Sequence, residues 1–132
     1  MTAGRLLVDT DVVVDYLRGV PLAVDYLEGA TETLLISAVT VAELFAGVRE
    51  GKERTALGAF LAAFDIVTLD RACAERGGLF RRDYGKSHNT GLADALIAAT
   101  AESQNARLVT LNVKHFPMLT DVLVPYRKGP GT

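Results

Sequence analysis

The chain is 132 residues long, 49% of its residues are hydrophobic and its mean hydropathy is +0.22, which favours a packed globule and excludes disorder. No apolar run reaches the ~18 residues that a membrane-spanning helix needs, so we expect no membrane insertion. The net charge of −2 excludes a protein-wide attraction to nucleic acid, and any such binding must come from local patches. One cysteine, Cys73, allows no internal disulfide, which predicts a cytoplasmic protein.

Apolar periodicity and turn residues divide the chain into alternating strands and helices. Strands are predicted at 6–8, 33–36, 65–69 and 107–111, with a fifth at 122–124. Helices are predicted at 12–17, 21–29, 37–47, 51–64, 70–84 and 91–104. This alternation predicts one α/β domain, residues 1–132, whose mainly parallel sheet is covered by helices on both faces. Residues 126–132 are rich in Gly and Pro and are expected to form a loose tail.

Four polar residues stand at informative places in this pattern. Asp9 and Asn112 each follow a strand, and open α/β folds bind ligands beyond the carboxyl ends of their strands. Glu43 and Asp94 are solitary charges in apolar helices, and acids are rarely buried without a partner. Each also has a purely structural explanation: a helix cap for Asp9, a capping box of Thr40 with Glu43, a helix-dipole contact for Asp94 and a turn for Asn112.

Taken together, the acids favour a metal site. No lysine or arginine lies within a helical turn of Asp94, and Arg49 is the nearest basic residue after Glu43. Acids that converge without cations repel one another and raise each other's pKa values. A hard divalent cation bound by carboxylate oxygens removes that conflict, lowers the pKa of bound water and neutralises a phosphate oxygen. The residues therefore predict a carboxylate metal site suited to phosphodiester hydrolysis.

Four stretches of the chain carry a family resemblance. They are LVDTDVVVDYLRG at 7–19, SAVTVAELFAGV at 37–48, GLADALIAATA at 91–101 and LVTLNVKHF at 108–116. In this order and at this spacing the chain resembles PIN-domain proteins, specifically the VapC-type toxins of type II toxin–antitoxin systems. The resemblance covers nearly the whole chain and implies a PIN-like three-layer α/β/α domain.

The resemblance also implies a set of site residues. Asp9, Glu43 and Asp94 match the family's acidic metal-site positions and, with Asn112, are expected to be catalytic. Thr110 matches a recurrent small polar position beside Asn112 and is expected to support the site. Asp11, a second supporting residue, stands where many members carry Asn, which leaves open the number of bound ions and whether Asp11 is a ligand.

Cofactor and partners follow from the same resemblance. It implies an endoribonuclease that depends on Mg²⁺ or Mn²⁺, acts on RNA and forms homodimers or toxin–antitoxin hetero-oligomers. A cognate antitoxin is expected to occupy the active-site groove. An antitoxin helix is predicted to pack on the first two helices, near Tyr16, Leu17, Tyr26 and Leu27, with an arginine at the acids, and the alternative is that these four side chains belong to the hydrophobic core.

Basic residues of the fifth helix and its following loop give a weaker signal. Arg81, Arg82 and Lys86 are predicted to contact RNA, and the alternative is that they form only a solvated helix face. His88 and His115 are not expected to bind the metal, because Mg²⁺ prefers oxygen ligands.

Two other functions compete with the nuclease. The stretch from Asp9 fits the DxDx[TV] start of a haloacid-dehalogenase-type phosphatase, with Asp9 as nucleophile, but residues 113–132 offer only Asp121 for the required late acidic pair. A receiver-type phosphoacceptor module also has paired acids after its first strand, but its phosphoacceptor after the third strand would have to be Asp70. Neither alternative explains the two solitary acids.

Overall fold

The computed structural model describes residues 4–127, so the predicted tail is described only as far as Arg127. The strands are β1 Arg5–Val8, β2 Thr33–Ser37, β3 Asp65–Val67 and β4 Arg107–Val109. The helices are α1 Thr10–Leu17, α2 Pro21–Gly29, α3 Ala38–Ala46, α4 Lys52–Leu61, α5 Arg71–Tyr84 and α6 Leu92–Ser103, and a short 3-10 helix spans Val113–His115. None of the helices between residues 4 and 127 combines the length and apolar character that a membrane crossing requires.

The four strands form one parallel sheet in the order β3–β2–β1–β4. In place of the predicted fifth strand, the structure has a single parallel bridge between Leu123 and Val109. The Leu123 N–H donates to the Leu108 carbonyl at 2.8 Å, and its carbonyl accepts from the Thr110 N–H at 3.1 Å. The segment around Leu123 therefore extends the sheet beyond β4 by one residue pair.

Each face of the sheet carries its own hydrophobic core, because successive strand side chains point to opposite faces. Leu7 and Leu35 pack with buried residues of α5 and α6, such as Phe80 and Ile97. Leu6, Val8 and Ile36 pack instead with buried residues contributed by α1, α2, α3 and α4. The predicted fold class, a parallel sheet between two helical layers, is confirmed.

The six predicted helices are all found within residues 4–127, with ends shifted by at most three residues, whereas two strands end earlier than predicted. β3 stops at Val67 because Asp70 begins α5, accepting from the Cys73 N–H at 2.8 Å. β4 stops at Val109 because the Leu111 N–H donates to the Asp11 carboxylate at 3.0 Å instead of to a neighbouring strand. A side chain 100 residues away thus ends the fourth strand.

The parallel arrangement places the carboxyl ends of β1, β2 and β4 at one edge of the sheet. Asp9 follows β1, Ser37 ends β2 and Thr110 follows β4. The Asp9 N–H donates to the Val109 carbonyl at 2.9 Å, which joins the first acid directly to β4. This edge gathers most of the residues predicted to be functional.

Helices α5 and α6 form an antiparallel pair on one face. The Cys73 Sγ lies 3.5 Å from the Thr100 Oγ1. A Cβ atom on Gly77 would lie 2.6 Å from the Leu96 Cδ2, so only glycine allows this close approach of the two helices. These two contacts set the register, and the carboxyl end of α5 therefore lies beside the amino end of α6.

Candidate active site

Asp9 is the buried acid of the candidate site. Only 5% of its surface is exposed, and it forms the N-cap of α1. Its Oδ1 accepts from the Thr10 N–H at 2.8 Å, and its Oδ2 accepts from the Thr110 hydroxyl at 2.7 Å. The helix-cap explanation is therefore correct, yet the cap still leaves Asp9 in contact with a second predicted site residue.

The environment of Asp9 raises its pKa from 3.8 to about 7. Burial is the largest cause, the Asp11 carboxylate adds to it, and the Asp94 carboxylate contributes a smaller part. The hydrogen bonds from Thr110 and Thr10 oppose this effect without cancelling it. Near pH 7, Asp9 is therefore divided between its neutral and ionised forms in the absence of a cation.

Asp11 receives hydrogen bonds on both carboxylate oxygens. Its Oδ1 accepts from the Val12 N–H at 2.8 Å. Its Oδ2 accepts from the Leu111 N–H at 3.0 Å and the Asn112 Nδ2 at 3.2 Å, and it lies 3.3 Å from the Thr110 Oγ1, whose proton is donated to Asp9. Burial raises the pKa of Asp11, and these hydrogen bonds hold that increase back.

Glu43 lies on α3, and its contacts rule out the capping-box explanation. The N-cap of α3 is Ser37, whose hydroxyl accepts from the Val39 N–H at 3.0 Å, so Thr40 lies inside the helix. Glu43 instead accepts from the Thr10 hydroxyl at 2.7 Å, and the Thr10 Oγ1 lies 2.9 Å from the Thr40 Oγ1.

The exposure of Glu43 also differs from what the apolar sequence around it indicated. Its side chain is exposed, whereas Asp9 is buried and Asp94 is partly buried. Most apolar side chains of α3 pack toward the sheet, and Glu43 occupies the face that turns to the groove beside α1.

Asp94 stands in the first turn of α6. Its Oδ2 accepts from the Gly91 N–H at 3.3 Å, so the predicted contact with the amino end of the helix is present. The same oxygen lies 3.5 Å from the His115 Nδ1. His115 is held in turn by the Thr90 hydroxyl, which donates to the His115 carbonyl at 2.8 Å.

Asn112 precedes the 3-10 helix and is tied to both supporting residues. Its N–H donates to the Thr110 Oγ1 at 3.1 Å, and its Nδ2 donates to the Asp11 Oδ2 at 3.2 Å. The structure therefore joins Asp9, Asp11, Thr110 and Asn112 in one hydrogen-bond network.

The two remaining acids lie next to this network. Asp94 is close enough for its charge to act on Asp9, and Glu43 is connected through Thr10. Within residues 4–127, no three acidic, histidine or cysteine side chains converge closely enough to enclose an ion.

Sequence reasoning missed the residues that orient the acids. Thr10 links α1 to Glu43, and Thr40 lies beside Thr10. His115, which was not expected to bind metal, lies against Asp94. A threonine directly after Asp9 was visible in the sequence, but its partner is 33 residues away and no local pattern identifies it.

The basic residues predicted to contact RNA lie at the site end of α5. The α5–α6 register places Arg81 and Arg82 beside the amino end of α6, which carries Asp94. Both side chains are exposed, as is Lys86. Arg82 pairs with Asp83 at 2.9 Å in a surface ion pair, an arrangement that contributes little to stability.

A groove of about 680 Å³ opens next to Glu43, between α1, α3 and α4. Its floor and walls are largely apolar, formed by Val14, Leu17, Leu44, Val48 and Leu57, with Arg18 and Arg49 at its border. Among the described residues Arg18 makes no ion pair, whereas Arg49 pairs with Glu53 at 3.1 Å.

Comparison with known proteins identifies the family of this chain. A family model for the PIN domain matches residues 6–117. The chain is 44% identical over 124 residues to ribonuclease VapC10 of Mycobacterium tuberculosis, covering 92% of each protein. It is 42% identical over 125 residues to ribonuclease VapC19 of the same organism, covering 91% of this chain and 98% of the relative.

A solved structure, a toxin–antitoxin complex from Klebsiella pneumoniae, superposes with a TM-score of 0.81 at 28% identity. The match covers 93% of this chain and 99% of that one. The chain therefore belongs to the PIN-domain family, among its VapC-type members, as its sequence resemblance predicted. The phosphatase and receiver alternatives are not favoured, and Asp70, the acid a receiver would need, instead caps α5.

Proposed function

We propose that this protein is a metal-dependent endoribonuclease toxin that hydrolyses RNA phosphodiester bonds and is neutralised by a cognate antitoxin. The observation that carries the proposal is Asp9, a buried acid with a raised pKa at the sheet edge where Asp94 and Asn112 also lie. Its similarity to two VapC ribonucleases over more than nine-tenths of the chain supports RNA as the substrate. Because the proposed substrate is cellular RNA, we propose that the protein acts in the cytoplasm.

The donor set fits a hard divalent cation, Mg²⁺ or Mn²⁺. Asp9, Asp94 and Glu43 offer carboxylate oxygens, and Asn112 offers an amide oxygen. Burial, and after it the Asp11 carboxylate, raises the pKa of Asp9, so the chain by itself disfavours the ionised form that would bind a cation. We infer that Asp9, Asp94 and Glu43 would hold the cation after their side chains draw together around it, and that the cation would activate water and neutralise charge on the phosphate.

The chain's own residues prepare this site in two ways. Asp9 gives up the proton that it partly retains near pH 7, so that its oxygens are available to a cation. The hydroxyls of Thr110 and Thr10 donate to Asp9 and Glu43 and fix the direction of each carboxylate. RNA approaches along the exposed Arg81, Arg82 and Lys86, whose charges contact phosphates.

The groove beside Glu43 is the surface we assign to the antitoxin. This revises the predicted docking surface, because Leu27 is buried in the core and Tyr26 packs against it. Leu17, which was also predicted, is 44% exposed and lines the groove. An antitoxin segment with an apolar face would fill it, and a basic side chain on that segment would reach Glu43.

Cleavage of a mixed RNA pool tests the enzymatic proposal. The purified protein should cleave RNA with Mg²⁺ or Mn²⁺ and not with a chelator, and Asp94→Asn should reduce cleavage to background. Asp25→Asn, which removes an exposed acid on α2, is the matched control and should retain activity. Full activity of Asp94→Asn would overturn the site, and equal cleavage in chelator would overturn the metal requirement.

Co-expression tests the partner. An antitoxin encoded next to this chain should co-purify with it and stop cleavage, and Leu17→Glu in the groove should weaken that complex while leaving cleavage unchanged. Sedimentation of the free protein, which we propose to be a homodimer, and of the complex gives their assembly states.

A further inference from the structure

Asp11 differs from the other acids of the site in how completely its carboxylate is engaged. Three N–H donors contact its two oxygens, at distances from 2.8 to 3.2 Å. Two of them, from Leu111 and Asn112, converge on the single oxygen Oδ2, and the Thr110 Oγ1 lies 3.3 Å from the same oxygen. Each oxygen of Asp9, by comparison, accepts one hydrogen bond.

This arrangement decides between two roles for Asp11. The Oδ2 of Asp11 accepts from two N–H groups, which occupy its two lone pairs and leave little capacity for a cation. The same bonds take the Leu111 N–H away from the sheet and turn the Asn112 side chain toward α1. The Thr110 hydroxyl, a further member of this network, donates to Asp9 at 2.7 Å.

We propose that Asp11 is a positioning residue that holds the segment 110–112 against α1 and thereby orients Asn112 and Thr110, and that it does not bind the cation. Its catalytic consequence rests on the proposed ribonuclease function. The hydrogen-bond role itself rests only on the contacts of Asp11 with Leu111 and Asn112.

Two substitutions separate the hydrogen-bond role from the charge. Asp11→Asn and Asp11→Ala remove the same negative charge, but Asn keeps one oxygen that can face the N–H donors of Leu111 and Asn112. Loss of a partner that orients site residues typically reduces metal affinity or activity by about 10- to 100-fold. We expect that loss in kcat for Asp11→Ala, with KM for RNA nearly unchanged, and a loss of about five-fold or less for Asp11→Asn, the equivalent of one ordinary hydrogen bond.

Calorimetric titration with Mn²⁺ alone gives a readout that does not depend on RNA cleavage. A positioning role predicts that Asp11→Asn binds Mn²⁺ within about five-fold of the unsubstituted protein. Asp25→Ala, an exposed acid on α2, controls for the removal of one charge. Equal losses of at least about ten-fold in both Asp11 variants would overturn the proposal and make Asp11 a ligand.

The side-chain amide signal of Asn112 in a metal-free NMR spectrum tests the contact itself. It should shift and broaden in Asp11→Ala and stay near its original position in Asp11→Asn. An unchanged signal in Asp11→Ala would overturn the proposal. If the unsubstituted protein cleaves no RNA, the ribonuclease function fails, and this spectrum still decides the role of Asp11.

Discussion

Replacing the buried acid Asp9 by Asn should stabilise the metal-free protein, and the gain should grow with pH. The folded state raises the pKa of Asp9 from 3.8 to about 7. Below about pH 4 the carboxyl is neutral in both states and has no net effect on folding. Between about pH 4 and pH 7 the unfolded chain loses its proton first, so stability falls as pH rises, and above pH 7 the full penalty is present.

The magnitude follows from that change in pKa. At 1.36 kcal/mol per pKa unit, ionised Asp9 costs about 4 kcal/mol of folding free energy above pH 7. Asn removes this cost. Its amide cannot accept both hydrogen bonds that Asp9 accepts, so about 1 kcal/mol of the gain in stability is lost. The net gain near pH 8 is therefore about 3 kcal/mol, or roughly 10 °C in melting temperature for a chain of this size.

Urea denaturation with a chelator present measures this difference directly. The free energy of unfolding is compared between Asp9→Asn and the unsubstituted protein at about pH 4.5 and pH 8, so that the titration of groups far from Asp9 cancels. Asp25→Asn, which removes an exposed acid on α2, is measured in parallel as the matched control. A difference that stays constant or shrinks toward pH 8 would refute the assignment of the raised pKa to Asp9. Added Mn²⁺ should stabilise the unsubstituted protein and remove most of the advantage of the variant, since it binds only the folded state.

Three further perturbations follow from other contacts. Changing Arg81 and Arg82 to Glu should weaken RNA binding. The slope of log K for RNA against log[salt], measured by anisotropy over a salt series, should become shallower by about 0.7 for each phosphate that is no longer neutralised. An unchanged slope would place the RNA path elsewhere. Tyr126→Phe should lower the free energy of unfolding by about 2 kcal/mol, because the Tyr126 hydroxyl donates to the buried Asp15 carboxylate at 2.8 Å, and an unchanged urea midpoint would contradict this. Thr10→Val should reduce RNA cleavage by about 10- to 100-fold with little change in stability, because it removes the hydroxyl that orients Glu43. Full cleavage by this variant would show that the contact is dispensable.

The sequence predicted the parts of the fold that local periodicity controls. Each helix has an apolar face that recurs every three or four residues, and the central strands are short apolar runs, so their order and kind follow from the residues themselves. The ends of β3 and β4 depend instead on where single side chains take backbone N–H groups. Asp11 ends β4 from 100 residues away, and no local pattern contains that information.

The residues of the candidate site could also be predicted only in part from the sequence. The acids Asp9 and Asp94 were visible because strand ends and solitary charges mark them in the sequence. Their orienting partners were not, because Thr10, Thr40 and His115 are common residue types whose role depends on tertiary contacts. The exposure of Glu43 was also missed, since an apolar helix indicates burial of the helix as a whole and not of each residue.

The donors at this site explain why it suits a cation. Among the described residues, no lysine or arginine lies within 4 Å of the Asp9, Asp11, Glu43 or Asp94 carboxylates, and the one histidine contact is that of His115 with Asp94. The other donors are hydroxyl, amide and backbone N–H groups, which fix the direction of a carboxylate without cancelling its charge. A lysine or arginine in their place would stabilise the fold and occupy the oxygens. Burial and the neighbouring Asp11 carboxylate raise the pKa of Asp9. Uncharged donors leave the negative charge of its ionised form for an incoming cation. A divalent metal and a basic antitoxin side chain would both compensate it, so the binding of each should oppose the binding of the other, reciprocally and by the same factor.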